Sequence, residues 1–220
     1  MSDIFREVDE DVRRDQAAEF WKKYQNYIIA LVALIVLGTA GWRYYDYQRQ
    51  QTAQAAGAQF EQALRLDRDG KEAEATAALA KVAAEAPGGY RMLARLADAA
   101  LTAKTDPARA IAAYDALAQD ASIAPLFQET ARLRAALLRL DAGETDKAKA
   151  ALEALAAPPG GAYRQTAREM LGVVALAAQD YQGAGKWLDM VVADPDAPRN
   201  LRQTAELLLG LVGSGKPAAK

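Results

Sequence analysis

Few side chains in this sequence have the chemistry of a catalytic or metal site. It contains no cysteine and no histidine, so the commonest general base and the usual zinc ligands are missing. This excludes Ser-His-Asp and Cys-His catalysis, zinc fingers, c-type haem attachment and disulfide scaffolds. The nearest approaches to catalytic motifs are two close pairs of aspartates and two Gly-Gly dipeptides: Asp67 and Asp69, Asp194 and Asp196, Gly88-Gly89, and Gly160-Gly161.

Both kinds of motif have a simpler interpretation. The aspartates fall at predicted helix ends, where carboxylates commonly serve as caps or turn residues. The Gly-Gly dipeptides lack the preceding strand and the following Lys-Ser or Lys-Thr that a phosphate-binding loop needs. We therefore expect no catalytic residue, no metal site and no cofactor, and the chain is predicted not to be an enzyme.

The composition limits the class of protein and its partners. The chain has 220 residues, of which 51% are hydrophobic and 25% charged, and its formal net charge is -2. This length allows one domain, or a domain with an appendage. A nearly neutral chain has no bulk attraction for nucleic acid or anionic lipid. We expect protein partners rather than a nucleic acid or a small-molecule substrate.

One segment near the N-terminus predicts a membrane-spanning helix. Residues 24–42 carry no charge, and residues 28–37 read IIALVALIVL. At about 1.5 Å per residue, such a run approaches the roughly 30 Å thickness of the hydrocarbon core. Aromatic side chains flank it at the positions expected for the two membrane interfaces: Trp21, Tyr24, Trp42, Tyr44 and Tyr45. We predict a transmembrane helix over residues 24–45; a buried core helix and a cleaved signal peptide are the alternatives.

The basic residues around this segment predict its orientation. Five precede it and two follow it closely, which favours a cytoplasmic N-terminus. Residues 1–23 then form a cytoplasmic leader, either an amphipathic helix or a solvated extension of the span. The rest of the chain lies across the membrane, which in a bacterium is the periplasm.

The remainder of the sequence predicts short helices in a repeated arrangement. All eight prolines lie at or after Pro87, and the segments between them are rich in alanine and unbranched side chains, which favour helix. Four segments share a small residue followed by bulky residues four and seven places later. The four sets are Ala75, Leu79 and Val82; Ala110, Tyr114 and Leu117; Ala148, Leu152 and Leu155; and Ala184, Leu188 and Val191.

This pattern resembles the tetratricopeptide repeat, a helix pair of about 34 residues. The fourth unit carries the resemblance best, through Leu171-Gly172, Tyr181, Ala184, Leu188 and Asp194-Pro195. We predict an all-α chain in which the transmembrane helix is followed by a tetratricopeptide-like α-solenoid of about four helix pairs. The repeat domain is expected over residues 46–210 and a flexible tail over residues 211–220. A generic alanine-rich helical bundle is the alternative.

The layout as a whole is similar to that of the YfgM-like ancillary subunits of the SecYEG translocon. The residues that prompt this comparison are Glu7-Val8-Asp9-Glu10, Arg13-Arg14, Trp21-Lys22-Lys23-Tyr24 and Gly41-Trp42. The resemblance implies a single-pass protein of the bacterial inner membrane. It also implies a periplasmic adaptor that meets translocon subunits, chaperones or exported chains. The alternative function is a scaffold for envelope assembly or division that acts by self-association.

Stacked helix pairs leave a surface lined by the first helix of each pair, which can bind peptides or partner helices. The residues predicted to line this groove are Phe60, Leu64, Met92, Arg95, Leu133, Leu137, Leu140, Glu169, Val173 and Leu176. Leu133, Leu137 and Leu140 also have the spacing of an ordinary core stripe. For these three leucines, core and groove remain alternatives.

Overall fold

The computed structural model describes the backbone of residues 3–215 and the side chains of residues 20–214. The described backbone contains nine α-helices and no strand: α1 (Asp3–Arg68), α2 (Glu72–Glu85), α3 (Gly88–Thr102), α4 (Pro107–Gln119), α5 (Pro125–Asp141), α6 (Thr145–Ala156), α7 (Arg164–Ala177), α8 (Tyr181–Val192) and α9 (Arg199–Gly215). The predicted all-α class is confirmed for this part of the chain.

The first helix is longer than the transmembrane helix predicted over residues 24–45. It has 66 residues and no interruption, so the boundaries predicted after residues 23 and 45 fall inside one helix. The chain divides into two compact units, Met1–Ala55 and Ala56–Lys220. The predicted amphipathic face of the leader concerns side chains 1–19, which lie outside those described.

The first unit contains the apolar segment. It is long and apolar enough to cross a membrane, with a mean hydropathy of 1.6 over its best 18-residue window, none of it buried in the structure. The aliphatic residues Ile29, Leu31, Leu34 and Leu37 are all exposed. A signal sequence shares this length and composition, so the segment by itself defines a candidate span.

The second unit buries the repeated pattern found in the sequence. The four small residues Ala75, Ala110, Ala148 and Ala184 have no exposed surface. The bulky residues four and seven places after each of them are at most 4% exposed. These residues lie on α2, α4, α6 and α8, the second helices of the predicted pairs. Because alanine lets two helices approach closely, the bulky residues beside it can fill the space between them.

The helices of this unit pack mainly on their neighbours along the chain. Each helix from α2 to α8 contacts the next one, and α9 also contacts α7. The end of α1 contributes Ala56 and Ala63 to the first of four core clusters. The first helices alternate with the second helices in this order, as expected for stacked helix pairs.

The two helices of three pairs are joined by the same turn. Gly70, Gly143 and Gln179 hold the left-handed conformation there, with φ of 76°, 77° and 60°. The amide of the following residue donates to a carbonyl five residues earlier, as in Lys71 to Leu66 and Asp180 to Ala175. This arrangement is the Schellman end of a helix, in which glycine is favoured because it has no Cβ.

The position of Gln179 therefore predicts a stabilising substitution. Left-handed conformation costs an L-residue about 1–2 kcal/mol, and the added chain entropy of glycine offsets part of this. We expect Gln179→Gly to raise the free energy of unfolding by about 0.5 kcal/mol, measured by denaturation of the detergent-solubilised chain. The reciprocal change at the equivalent turn, Gly143→Gln, should lower it. A loss of stability in Gln179→Gly would contradict the prediction.

The C-terminal end differs from the sequence prediction. A flexible tail was expected over residues 211–220, but α9 continues to Gly215. The reason is that Val212 is buried in the fourth core cluster together with Leu188 and Ala205. This contact anchors the last turns of the helix despite Gly210 and Gly213. Residues 216–220 lie outside the described part of the chain.

Candidate protein-binding surface

The ten residues predicted to line the groove differ in exposure. Leu133 and Glu169 are buried, and Val173 is exposed. The other seven are half-buried: Phe60, Leu64, Met92, Arg95, Leu137, Leu140 and Leu176. The ten residues come from α1, α3, α5 and α7, the first helices of the four pairs. They do not form one continuous surface, because some are buried in the core and others are partly exposed.

The leucines of α5 contribute to the protein core. Leu133 belongs to the third core cluster with Leu152 and Leu171, and Leu137 and Leu140 pack against it. These contacts agree with the core stripe that the sequence left as an alternative. A role of these leucines in binding a partner stays a prediction.

Two carboxyl groups on the first helices are partly or fully removed from water. Glu169 on α7 is 7% exposed, and burial raises its pKa. Burial also raises the pKa of Asp98 on α3, although the charge of Arg109 acts in the opposite direction. Raised pKa values in the folded state favour the protonated carboxyls, so their contribution to stability is present in acid and is lost as the pH rises through those values.

The structure brings two of the predicted groove residues together in an open pocket. Met92 and Arg95 of α3 face Phe127 of α5 and the connection between α4 and α5, across a volume of about 420 Å³. Arg91 and Ile123 also line it. We call this the first pocket. Sequence reasoning missed Arg91 and Phe127, since only the packing of α3 near α5 brings these two residues together.

Ion pairing fixes one wall of the first pocket. Nη1 of Arg95 donates to Oδ2 of Asp120 at 2.7 Å, and the hydroxyl of Ser122 donates to Oδ1 at 2.6 Å. The hydrogen bond from Ser122, followed by that from Arg95, lowers the pKa of Asp120 to about 2. Asp120 is therefore ionised at neutral pH and holds Arg95 in place.

A second pocket lies at the corresponding place beside α7, with a volume of about 250 Å³. Arg164 and Gln165 of α7 line it, together with Asp196 and Leu201. Asp194 accepts hydrogen bonds from Arg164 and Gln165, as Asp120 does from Arg95 beside the first pocket. We call this the second pocket.

The loops behind both pockets are held in the same way. The side-chain amide of Gln128 donates to the carbonyls of Asp120 and Ile123, eight and five residues earlier. The guanidinium of Arg202 donates to the carbonyls of Asp194 and Ala197, which lie at the same separations. The shared pattern shows that the two loops are equivalent parts of the repeat.

The predicted interface aromatics lie on the surface of α1. Trp21, Tyr24, Trp42, Tyr44 and Tyr45 are all exposed.

The described side chains contain no group of three carboxylates that could hold a metal ion.

A comparison with protein families agrees with the observed helix pairs. The sequence matches the tetratricopeptide repeat-like domain over residues 18–207. Because this match covers most of the chain, the protein belongs to the tetratricopeptide repeat-like domain family. Domains of this kind are typically non-catalytic modules of protein–protein interaction. A search of curated proteins gave no match.

Proposed function

We propose that the chain is a membrane-anchored periplasmic adaptor that binds proteins near the Sec translocon and assists the handover of exported chains to chaperones. The observation that carries the binding role is the stack of helix pairs in a family of interaction modules. Its first helices present open pockets with both apolar and charged side chains, a combination suited to polypeptide ligands.

The membrane anchor rests on a separate observation. The apolar segment of α1 leaves its aliphatic side chains exposed, which is favourable in lipid and unfavourable in water. The excess of basic residues before this segment supports a cytoplasmic N-terminus and a repeat domain across the inner membrane. The similarity to YfgM-like subunits supports the place beside the translocon.

One observation favours the second candidate function, a scaffold that self-associates. On α9, the side chains of Leu207 and Leu211 are 75% and 58% exposed. Terminal helices of repeat domains usually have a polar outer face, so these leucines offer an apolar contact to another copy of the chain.

Photo-crosslinking in intact cells tests the adaptor against the scaffold. A photoreactive residue at Leu126, which is exposed beside Phe127 on α5, is expected to crosslink translocon subunits, chaperones or exported chains. The same residue at Lys149, an exposed position on α6, is the background control. Crosslinks only between copies of the chain, strongest from Leu207, would support the scaffold. Recovery of the same proteins from Leu126 and Lys149 would contradict a role for this surface.

A further inference from the structure

The two pockets are built from corresponding residues. Arg91 and Arg95 of α3 correspond to Arg164 and Arg168 of α7, because each pair is spaced by four residues and both Arg95 and Arg168 donate to the aspartate that follows the next helix. Asp120 follows α4 as Asp194 follows α8, and each accepts a hydrogen bond from the backbone amide two residues later. The same constellation of two arginines and one aspartate therefore occurs twice.

Both arginines beside the second pocket form ion pairs with a carboxylate of the chain itself. Oδ2 of Asp194 accepts hydrogen bonds from Arg164 at 2.7 Å and from Arg168 at 3.3 Å. Gln165 donates to the same oxygen. These side chains are at most 15% exposed. Asp196 adds a further carboxylate to the lining. An anionic ligand would meet a second pocket in which the positive charge is already neutralised.

The first pocket leaves one arginine available. Asp120 accepts from Arg95, but Arg91 forms no ion pair with any carboxylate in the described residues. The guanidinium of Arg91 donates from Nη2 to the carbonyl of Ala86 at 3.2 Å, a bond that uses one of its five N–H groups. Arg91 is exposed, and no carboxylate lines the first pocket.

The wall beside Arg91 is apolar. Met92, Ile123 and Phe127 line the first pocket, where the corresponding positions of the second pocket hold Gln165, Ala197 and Leu201. A polar side chain therefore replaces Met92, and smaller side chains replace Ile123 and Phe127. The first pocket thus combines an unpaired guanidinium with a larger apolar surface.

We propose that the first pocket binds an acidic segment of a partner polypeptide. A glutamate or aspartate carboxylate of the partner accepts hydrogen bonds from Arg91, as Asp194 accepts one from Arg164 beside the second pocket, and a neighbouring apolar side chain packs on Met92 and Phe127. Guanidinium and carboxylate groups match in charge and geometry. This inference rests on the proposed adaptor function, because it specifies the chemistry of the partner.

Peptide binding to the full-length, detergent-solubilised chain tests the inference. The probe is a short fluorescein-labelled peptide of leucine and glutamate, and the reference probe has glutamine in place of each glutamate. Fluorescence anisotropy should give tighter binding of the glutamate peptide, by about fivefold at low salt, as expected for a partly exposed ion pair. The difference should disappear in Arg91→Gln and persist in part in Arg91→Lys.

A matched control separates the pocket from the overall charge of the protein. Arg134→Gln removes the same charge from an exposed position on α5 outside both pockets, and it should leave the fivefold preference unchanged. Equal binding of the two peptides would overturn the proposal, as would an equal loss in Arg91→Gln and Arg134→Gln. The proposal would also be overturned if the chain bound anionic lipid vesicles in preference to the glutamate peptide and this binding depended on Arg91.

Failure of this proposal is distinguishable from failure of the adaptor function. If the peptides bind without preference while Leu126 still crosslinks translocon subunits or chaperones, the charge recognition is wrong and the adaptor function stands. If Leu126 crosslinks only other copies of the chain, the adaptor function itself is wrong.

Discussion

Replacing Gly172 with valine is expected to lower the free energy of unfolding by about 3 kcal/mol, near the upper end for overpacking of a core. A Cβ at Gly172 would lie 2.7 Å from both Cγ and Cδ2 of Leu188. Leu188 has no exposed surface, so it cannot move aside without disturbing α8. The close contact between α7 and α8 therefore depends on the absence of a side chain at this position.

The control for this experiment is the same substitution in α9. A Cβ at Gly210 would meet no atom within 4 Å, and valine is a slightly better helix former than glycine. Denaturation followed by circular dichroism should show Gly210→Val close to the wild type and Gly172→Val well below it. Equal stability of the two variants would mean that α7 and α8 do not pack at this distance.

Two arginines in the apolar part of α1 should prevent stable insertion in the membrane. In the double variant Leu31→Arg and Ile35→Arg, each charge costs about 2.5–3.5 kcal/mol at the centre of a membrane helix. The wild-type chain is expected to stay in the membrane fraction after extraction at alkaline pH. The double variant should move to the soluble fraction or be degraded.

The matched control places the same change elsewhere in the chain. Leu207 and Leu211 are exposed leucines with the same four-residue spacing, on α9. The double variant Leu207→Arg and Leu211→Arg should remain in the membrane fraction, since it leaves the apolar segment of α1 intact. If the α1 variant also resists extraction, this segment is not the membrane anchor.

The second helices of the pairs were predictable because their buried faces depend on local spacing. Ala184, Leu188 and Val191 lie on one face of any helix, and all three are buried. The first helices vary more. Gly172 of α7 corresponds to Ala136 of α5, and the buried Glu169 to Leu133, so no single pattern identified the exposed face in all of them.

The pocket and the limits of α1 depended on information that is not local. Arg91 and Phe127 are far apart in sequence and line the same pocket because α3 and α5 both pack on α4. In α1, the predicted boundaries followed the change from polar to apolar residues, but no proline lies before Pro87 to end the helix. The backbone therefore remains helical across both changes in composition.

The nearest-neighbour order of the helices has a consequence for how this protein loses structure. From α2 onward, most contacts join consecutive helices, so an end of the array can open while the middle keeps its contacts. The helix α9 lies outside the first pocket and packs on α7 and α8. A ligand held between α3 and α5 would add protection from amide hydrogen exchange to the helices around it and add none to α9.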